Sequence, residues 1–184
     1  MKPTDQLKKE HEAILLLLRV LDKVAARLEA GERVDATDLD RMLEFIRIFA
    51  DRCHHGKEET FLFPALEEAG MPREGGPVGV MLQEHDQGRR YVEALSKAVA
   101  GYQADDPEAA ASFAASARSY IQHLTQHIEK ENHILFPMAD RFLSDGKQKA
   151  LLNAFDRIEE EVVGKGKHEE FHLLLDRLSE VYLK

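Results

Sequence analysis

Residues 54–64 read HHGKEETFLFP and residues 127–137 read HIEKENHILFP. Both stretches carry His-x-x-x-Glu and both reach Leu-Phe-Pro in the same register, so one offset separates His54 from His127, Glu58 from Glu131 and Pro64 from Pro137. Upstream, KEHEAI at 9–14 faces QEHDQG at 83–88 and pairs His11 with His85. The chain therefore reads as a duplicated helical hairpin, each half supplying one lone histidine and one His-x-x-x-Glu. Residues four apart share a helix face and lie about 6 Å apart along its axis. An imidazole and a carboxylate so placed can hold one metal ion or two neighbouring ones. A single such pair is ordinarily a solvated ion pair. Packing alone gives no reason to keep both positions in register through a duplication, because buried charges are costly.

Helical periodicity runs almost from end to end, and strand signals are nearly absent. A first helix is expected from a Thr4 or Asp5 cap to near Gly31, and a second from Thr37 or Asp38 toward Glu68. AGMPREGGP at 69–77 is the clearest break, and a third helix follows over about 78–103. The ADDP turn at 104–107 places Asp106 as a cap and Pro107 at the first position of a fourth helix, which ends near Leu143. After SDG at 144–146 come a shorter helix near 147–161, a GKG hinge at 164–166 and a last helix. The expected architecture is all-α. An up-down antiparallel four-helix bundle occupies residues 1–143, and a C-terminal helical extension, residues 144–184, packs on it. Pro64 and Pro137 are expected to kink or end their helices, with Phe63 and Phe136 filling the core beside them.

Composition narrows the function. Apolar residues make up 43% of the 184 and charged residues 32%, an ordinary globular balance. The longest apolar run, Ala13 to Leu18, is far too short to span a bilayer, and MKPTDQLKKE carries no apolar signal region, so a cytoplasmic protein with no membrane partner is expected. The single cysteine, Cys53, suits a reducing compartment. A formal charge of −9 without a basic cluster argues against nucleic acid as a partner. Nine histidines beside no tryptophan is the compositional oddity.

Six side chains converge in this reading: His11, His54, Glu58, His85, His127 and Glu131. Four imidazoles and two carboxylates without a thiolate suit iron, manganese or zinc, and bridging carboxylates let six side chains hold two ions. A pair of ions with open positions is where oxygen or peroxide chemistry would occur. HEEFH at 168–172 fits the His-Glu-x-x-His pattern of zinc peptidases, but its flanks read as an amphipathic helix packing on the bundle, from which His168 or His172 could reach over the site. Cys53 and the four tyrosines read as packing residues, and His133 points away from the ligand face.

The paired motifs, with His11-Glu12 and the EHD of residues 84–86, resemble the hemerythrin-like family, also called the HHE cation-binding domain. The likeness covers roughly residues 5–142. It implies a four-helix bundle with a non-heme di-iron centre, carboxylate- and oxo-bridged, held by the same six residues. It implies a small diatomic or peroxide ligand, in proteins that carry or sense oxygen, store or sense iron, or respond to nitric oxide or peroxide. Turnover of peroxide or nitric oxide, or a structural zinc or manganese, are the competing readings. Any signalling would pass to a protein partner through the C-terminal helices. Oxygen-carrying members place a further histidine where this chain has Arg89, a departure from the carrier pattern. His123, on the face of His127, is a candidate replacement ligand. His55 and Glu59, turned about 100° around an α-helix from the ligands, read as supports of the ligands.

Overall fold

A computed structural model describes residues 1–164 and 166–184. Helix α1 spans Pro3–Glu29. Pro3 occupies its first position, where the missing N–H costs nothing, and the backbone N–H of Lys2 donates to Asp5 Oδ2 at 2.8 Å. The cap is thus Lys2, two or three residues ahead of the expected Thr4 or Asp5, and Thr4 instead donates to Asp140 Oδ1 at 2.7 Å. The second arm begins as α2, Ala36–Phe45, capped by Asp35, whose carboxylate accepts from the Thr37 N–H at 2.9 Å. It then widens into π-helical turns over Ile46–His55 and Glu58–Leu62 before closing as α3, Phe63–Glu68.

Helix α4, Pro77–Gln103, is the third arm. The fourth comprises α5, Ala109–Lys130, a π-helical turn over Glu131–Leu135 and α6, Phe136–Phe142. Its first residue lies beyond Pro107, because Asp106 spends its carboxylate on the Glu108 N–H at 3.0 Å and closes a turn instead of capping the helix. The chain ends in α7, Asp145–Ile158, capped by Ser144, a wide turn over Glu159–Val163, and α8, Lys167–Tyr182. Of the expected GKG hinge, Lys165 lies outside the described residues; Gly164 and Gly166 adopt φ of +90° and +83°, which glycine tolerates. Among the described residues there is no β-strand, and no helix is long and apolar enough to cross a membrane.

Neither Pro64 nor Pro137 ends its arm. Each stands second in an α segment that follows a wide turn. A proline cannot donate to the carbonyl four residues back, and the wide turn before it shifts the hydrogen-bond register where that donor is missing.

Helix α5 packs on α1 and α4, the second arm packs on α4, and α8 lies along α1. One apolar cluster joins Leu17, Leu21, Phe45, Phe49, Phe113 and Tyr120 to Phe171, Leu175 and Leu178 of α8. Another joins Leu7, Phe63, Met81, Leu135 and Phe136 to Phe155 of α7. Along every arm the expected ligands fall between residues of the first cluster and residues of the second. Burying a phenylalanine contributes about 1.5–3 kcal/mol, and apolar packing on both sides is what holds a polar layer in the interior.

Candidate metal centre

That layer contains His11, His54, Glu58, His85, His127 and Glu131, each no more than 1% exposed. Four arms converge on it, one histidine coming from each of α1 and α4 and one His-x-x-x-Glu from each of the second and fourth. The Glu58 carboxylate turns Oε1 to His54 Nε2 at 3.5 Å and Oε2 to His85 Nε2 at 3.3 Å. Glu131 turns Oε2 to His11 Nε2 at 3.1 Å and Oε1 to His127 Nε2 at 3.3 Å. Each carboxylate therefore faces one histidine from each hairpin, and two donor groups result. His11, His54, Glu58 and Glu131 form the first; His85 and His127 form the second with Glu58.

The outer nitrogen of every one of these rings is taken. His11 Nδ1 donates to Asn132 Oδ1 at 2.8 Å, and His54 Nδ1 to Glu10 Oε2 at 2.8 Å. His85 Nδ1 donates to Glu59 Oε1 at 2.7 Å, and His127 Nδ1 to Glu84 Oε2 at 2.9 Å. Such bonds fix the tautomer and leave the Nε2 lone pair pointing inward. The carboxylates are anchored in turn: Lys57 bonds Glu10, Lys130 bonds Glu84, and Arg89 Nη2 bonds Glu59 at 2.6 Å. Phe136 stacks on His11 and Phe63 on His85, with ring centroids 5.4 and 5.7 Å apart.

The inward atoms lack partners. Both oxygens of Glu58 and of Glu131, with His11 Nε2 and His54 Nε2, are buried without a hydrogen bond. His85 Nε2 and His127 Nε2 face each other at 3.1 Å, with both Nδ1 atoms already donating. Buried polar atoms are almost always paired, and two facing lone pairs repel unless a cation sits between them. Donors held about 2.0–2.2 Å from a shared ion lie about 3 Å apart at right angles, so the observed separations fit bound metal. The electrostatics agree. Burial pushes these imidazoles toward the neutral form, yet Glu58 and Glu10 raise His54, Glu58 and Glu59 raise His85, and Glu131 and Glu84 carry His127 to about 10. The layer is short of positive charge, and a divalent ion supplies what protons otherwise would. The residues present fit iron, and the all-nitrogen-and-oxygen donor set also accepts manganese or zinc.

Other predicted residues fall elsewhere. His123 donates from Nε2 to the Glu84 carbonyl at 2.7 Å and packs edge-on against Tyr91, outside both donor groups, so it is not the replacement ligand. His168 stacks on Phe49 and His172 meets His168, so neither reaches over the layer. His133 donates to the Glu129 carbonyl on the surface. Glu59 supports His85, as its place beside Glu58 suggested. His55 corrects the sequence reading: it is 5% exposed, stacks on His85 at 3.8 Å, and offers a donor atom to the group containing Glu58, His85 and His127. A regular α-helix would turn it aside, but the second arm is π-helical over Ile46–His55, where each residue advances by a smaller angle and His55 lies closer to the face of His54. Burial, then the neighbouring His85, push its imidazole far toward the neutral form.

The supports missed in the sequence were themselves repeated. Glu10 and Glu84 immediately precede His11 and His85, and Lys57 and Lys130 immediately precede Glu58 and Glu131. Their register was available as a signal alongside that of the ligands.

Comparison with known proteins places this arrangement. The family model described as the hemerythrin HHE cation binding domain matches residues 2–139. The chain is 24% identical over 177 residues to the uncharacterized protein Rv1995 of Mycobacterium tuberculosis, covering 96% of this chain and 68% of that protein. It is 38% identical over 90 residues to the iron-sulfur cluster repair protein YtfE of Salmonella newport, covering 47% of this chain and 40% of that protein.

Proposed function

Because the chain belongs to the hemerythrin HHE cation-binding family, we propose that it holds two iron ions and binds or senses oxygen, peroxide, nitric oxide or iron itself. His11 and His54 would hold one ion and His85 and His127 the other, with Glu58 and Glu131 lying between the two pairs. The observation that carries this reading is the set of orphaned donor atoms: both carboxylates present one oxygen to each histidine pair and have no other partner. Two adjacent redox-active ions would supply the electron exchange and the open coordination that a small oxidant or diatomic ligand needs. The chain's own part is to gather carboxylate charge around the cation site, orient the rings through Nδ1, and keep bulk water out with Phe63 and Phe136.

The test is metal content per chain on protein purified with iron supplied, with visible spectra before and after exposure to air. Two irons per chain with charge-transfer bands that respond to air support the reading. One zinc per chain and no colour would replace it with a structural ion that clamps the helices.

A second reading, delivery of iron during cluster repair, is favoured by the likeness to YtfE. It predicts that iron passes from the loaded protein to a chelator or an apo acceptor faster after peroxide or nitric oxide treatment than before. Steady-state peroxide consumption without iron loss would favour an enzyme instead.

A further inference from the structure

The two histidine pairs are related by the repeat, but their surroundings are not. His55 stands where the second copy has Ile128, Asp51 where it has Leu124, and Glu59 where it has Asn132. Arg89 of α4 stands where α1 has Leu15. All four departures gather on the side of His85 and His127. His55 Nδ1 donates to Asp51 Oδ1 at 3.3 Å, and Arg89 Nε bonds that same oxygen at 3.0 Å. Arg89 also reaches Glu59, the carboxylate that orients His85. One guanidinium thus fixes the two acceptors that orient two stacked imidazoles. With Nδ1 committed to Asp51, the His55 lone pair is on Nε2. The donor atoms of His55, Glu58, His85 and His127 all lie within 4.8 Å of one another, whereas among the described residues no additional histidine joins His11, His54, Glu58 and Glu131.

Resting on the two-ion reading above, we propose that His55 is a seventh ligand, bound only to the ion held by His85 and His127. It makes the pair unequal. That ion then has three imidazoles beside the shared carboxylates, and its neighbour at His11 and His54 has two. Arg89 is a positioning residue in this scheme. Standing at the place of a family histidine, it acts by orienting a different histidine from the neighbouring arm.

The first experiment needs no substitution. In the full-length protein loaded with Zn²⁺ and labelled with ¹⁵N-histidine, imidazole nitrogens bound to metal are counted by long-range ¹H–¹⁵N correlation. Five metal-bound imidazoles support the proposal, with His55→Gln removing one of them. Four in the native protein, with His55 among the free rings, overturn it while leaving the two-ion reading intact; fewer than four would overturn that reading as well. The second experiment uses the protein loaded with ⁵⁷Fe. Native protein should show two resolved Mössbauer doublets, and His55→Gln should shift one of them and weaken the second iron's affinity 10- to 100-fold in chelator competition. A variant with both doublets and both affinities unchanged overturns the assignment.

Discussion

Lys57 and Lys130 occupy the same place in the two copies of the repeat, and each grips the glutamate that orients a histidine: Glu10 for His54, Glu84 for His127. The resemblance ends at the solvent. Lys130 is 39% exposed, whereas Lys57 is fully buried and bonds a second carboxylate, Glu159 of the turn after α7, at 2.5 Å. Gln6 of α1 donates to the same Glu159 oxygen at 2.9 Å. So the first half of the centre is sealed by the C-terminal segment, and the second is braced by the more exposed cluster of Arg89, Asp51 and Glu59. What the copies share builds the centre. What they do not share decides how deeply each side is enclosed and how it is braced.

The largest expected effect comes from the parts that belong to both sides. Glu58→Ala takes a donor from both groups, and Glu131→Ala takes one from the first group together with the oxygen that faces His127, so either should take metal content from two ions per chain to below one. His11→Ala touches one group only and should leave about one ion. Elemental analysis of the three variants against wild type checks this, and equal losses in all three would mean that the carboxylates are not shared.

The next contrast is Lys57→Met against Lys130→Met. Removing one partner of a buried ion pair leaves an uncompensated charge and costs about 3–5 kcal/mol. Here two acids lose their partner, and Glu10, held near 2 against burial by His54 and Lys57, must find a proton or water. The pair of Lys130 with Glu84 keeps its lysine in contact with solvent and loses less, nearer the roughly 0–1 kcal/mol of a surface ion pair. Guanidinium unfolding of the metal-free variants should therefore separate them by several kcal/mol, although the two substitutions are the same in the repeat. A smaller effect is expected one step further out. Glu10→Gln and Glu84→Gln keep a side-chain oxygen for the ring but lose the charge that makes it a better ligand. Each should weaken one ion 10- to 100-fold, by chelator competition, and leave the other nearly unchanged.

How much of this was legible depended on which residues were set against each other. The six inward side chains could be read because duplication preserved their type, spacing and register together, and the all-helical fold followed from periodicity and turn residues. Glu10, Glu84, Lys57 and Lys130 repeat just as faithfully, yet a charged residue beside a ligand looks like an ordinary solvated helix face until its partner's position is known. His55 was hidden for a geometric reason: its direction depends on a π-helical stretch, and nothing in IRIFADRCHH distinguishes wide turns from α-helical ones by composition. Glu159 was out of reach because it lies some hundred residues from Lys57, and only packing of α7 on the bundle brings them together.

Cys53 offers the mildest test of the seal on the first half. Its thiol is fully buried, packed by Ile158 and Val163 of the C-terminal segment. Burial pushes it up to about 12 from its ordinary 9.0; Glu10 and Glu159 push the same way, and Lys57 only partly opposes them. Only the thiolate is nucleophilic. At pH 8 a thiol ionising near 12 is about one part in ten thousand thiolate, against roughly a tenth for one ionising at 9.0. Iodoacetamide should accordingly label the native chain at least about a hundredfold more slowly than the unfolded chain, with the rate still climbing about tenfold per pH unit at pH 9–10, where a solvated thiol levels off. Glu159→Ala should quicken labelling only a few-fold. It removes a nearby negative charge and leaves Lys57 to favour the thiolate, but Ile158 and Val163 still cover the sulfur. Native labelling at the unfolded rate would mean that the segment around Glu159 lifts away freely, and the contrast between Lys57 and Lys130 would then have to be explained without it.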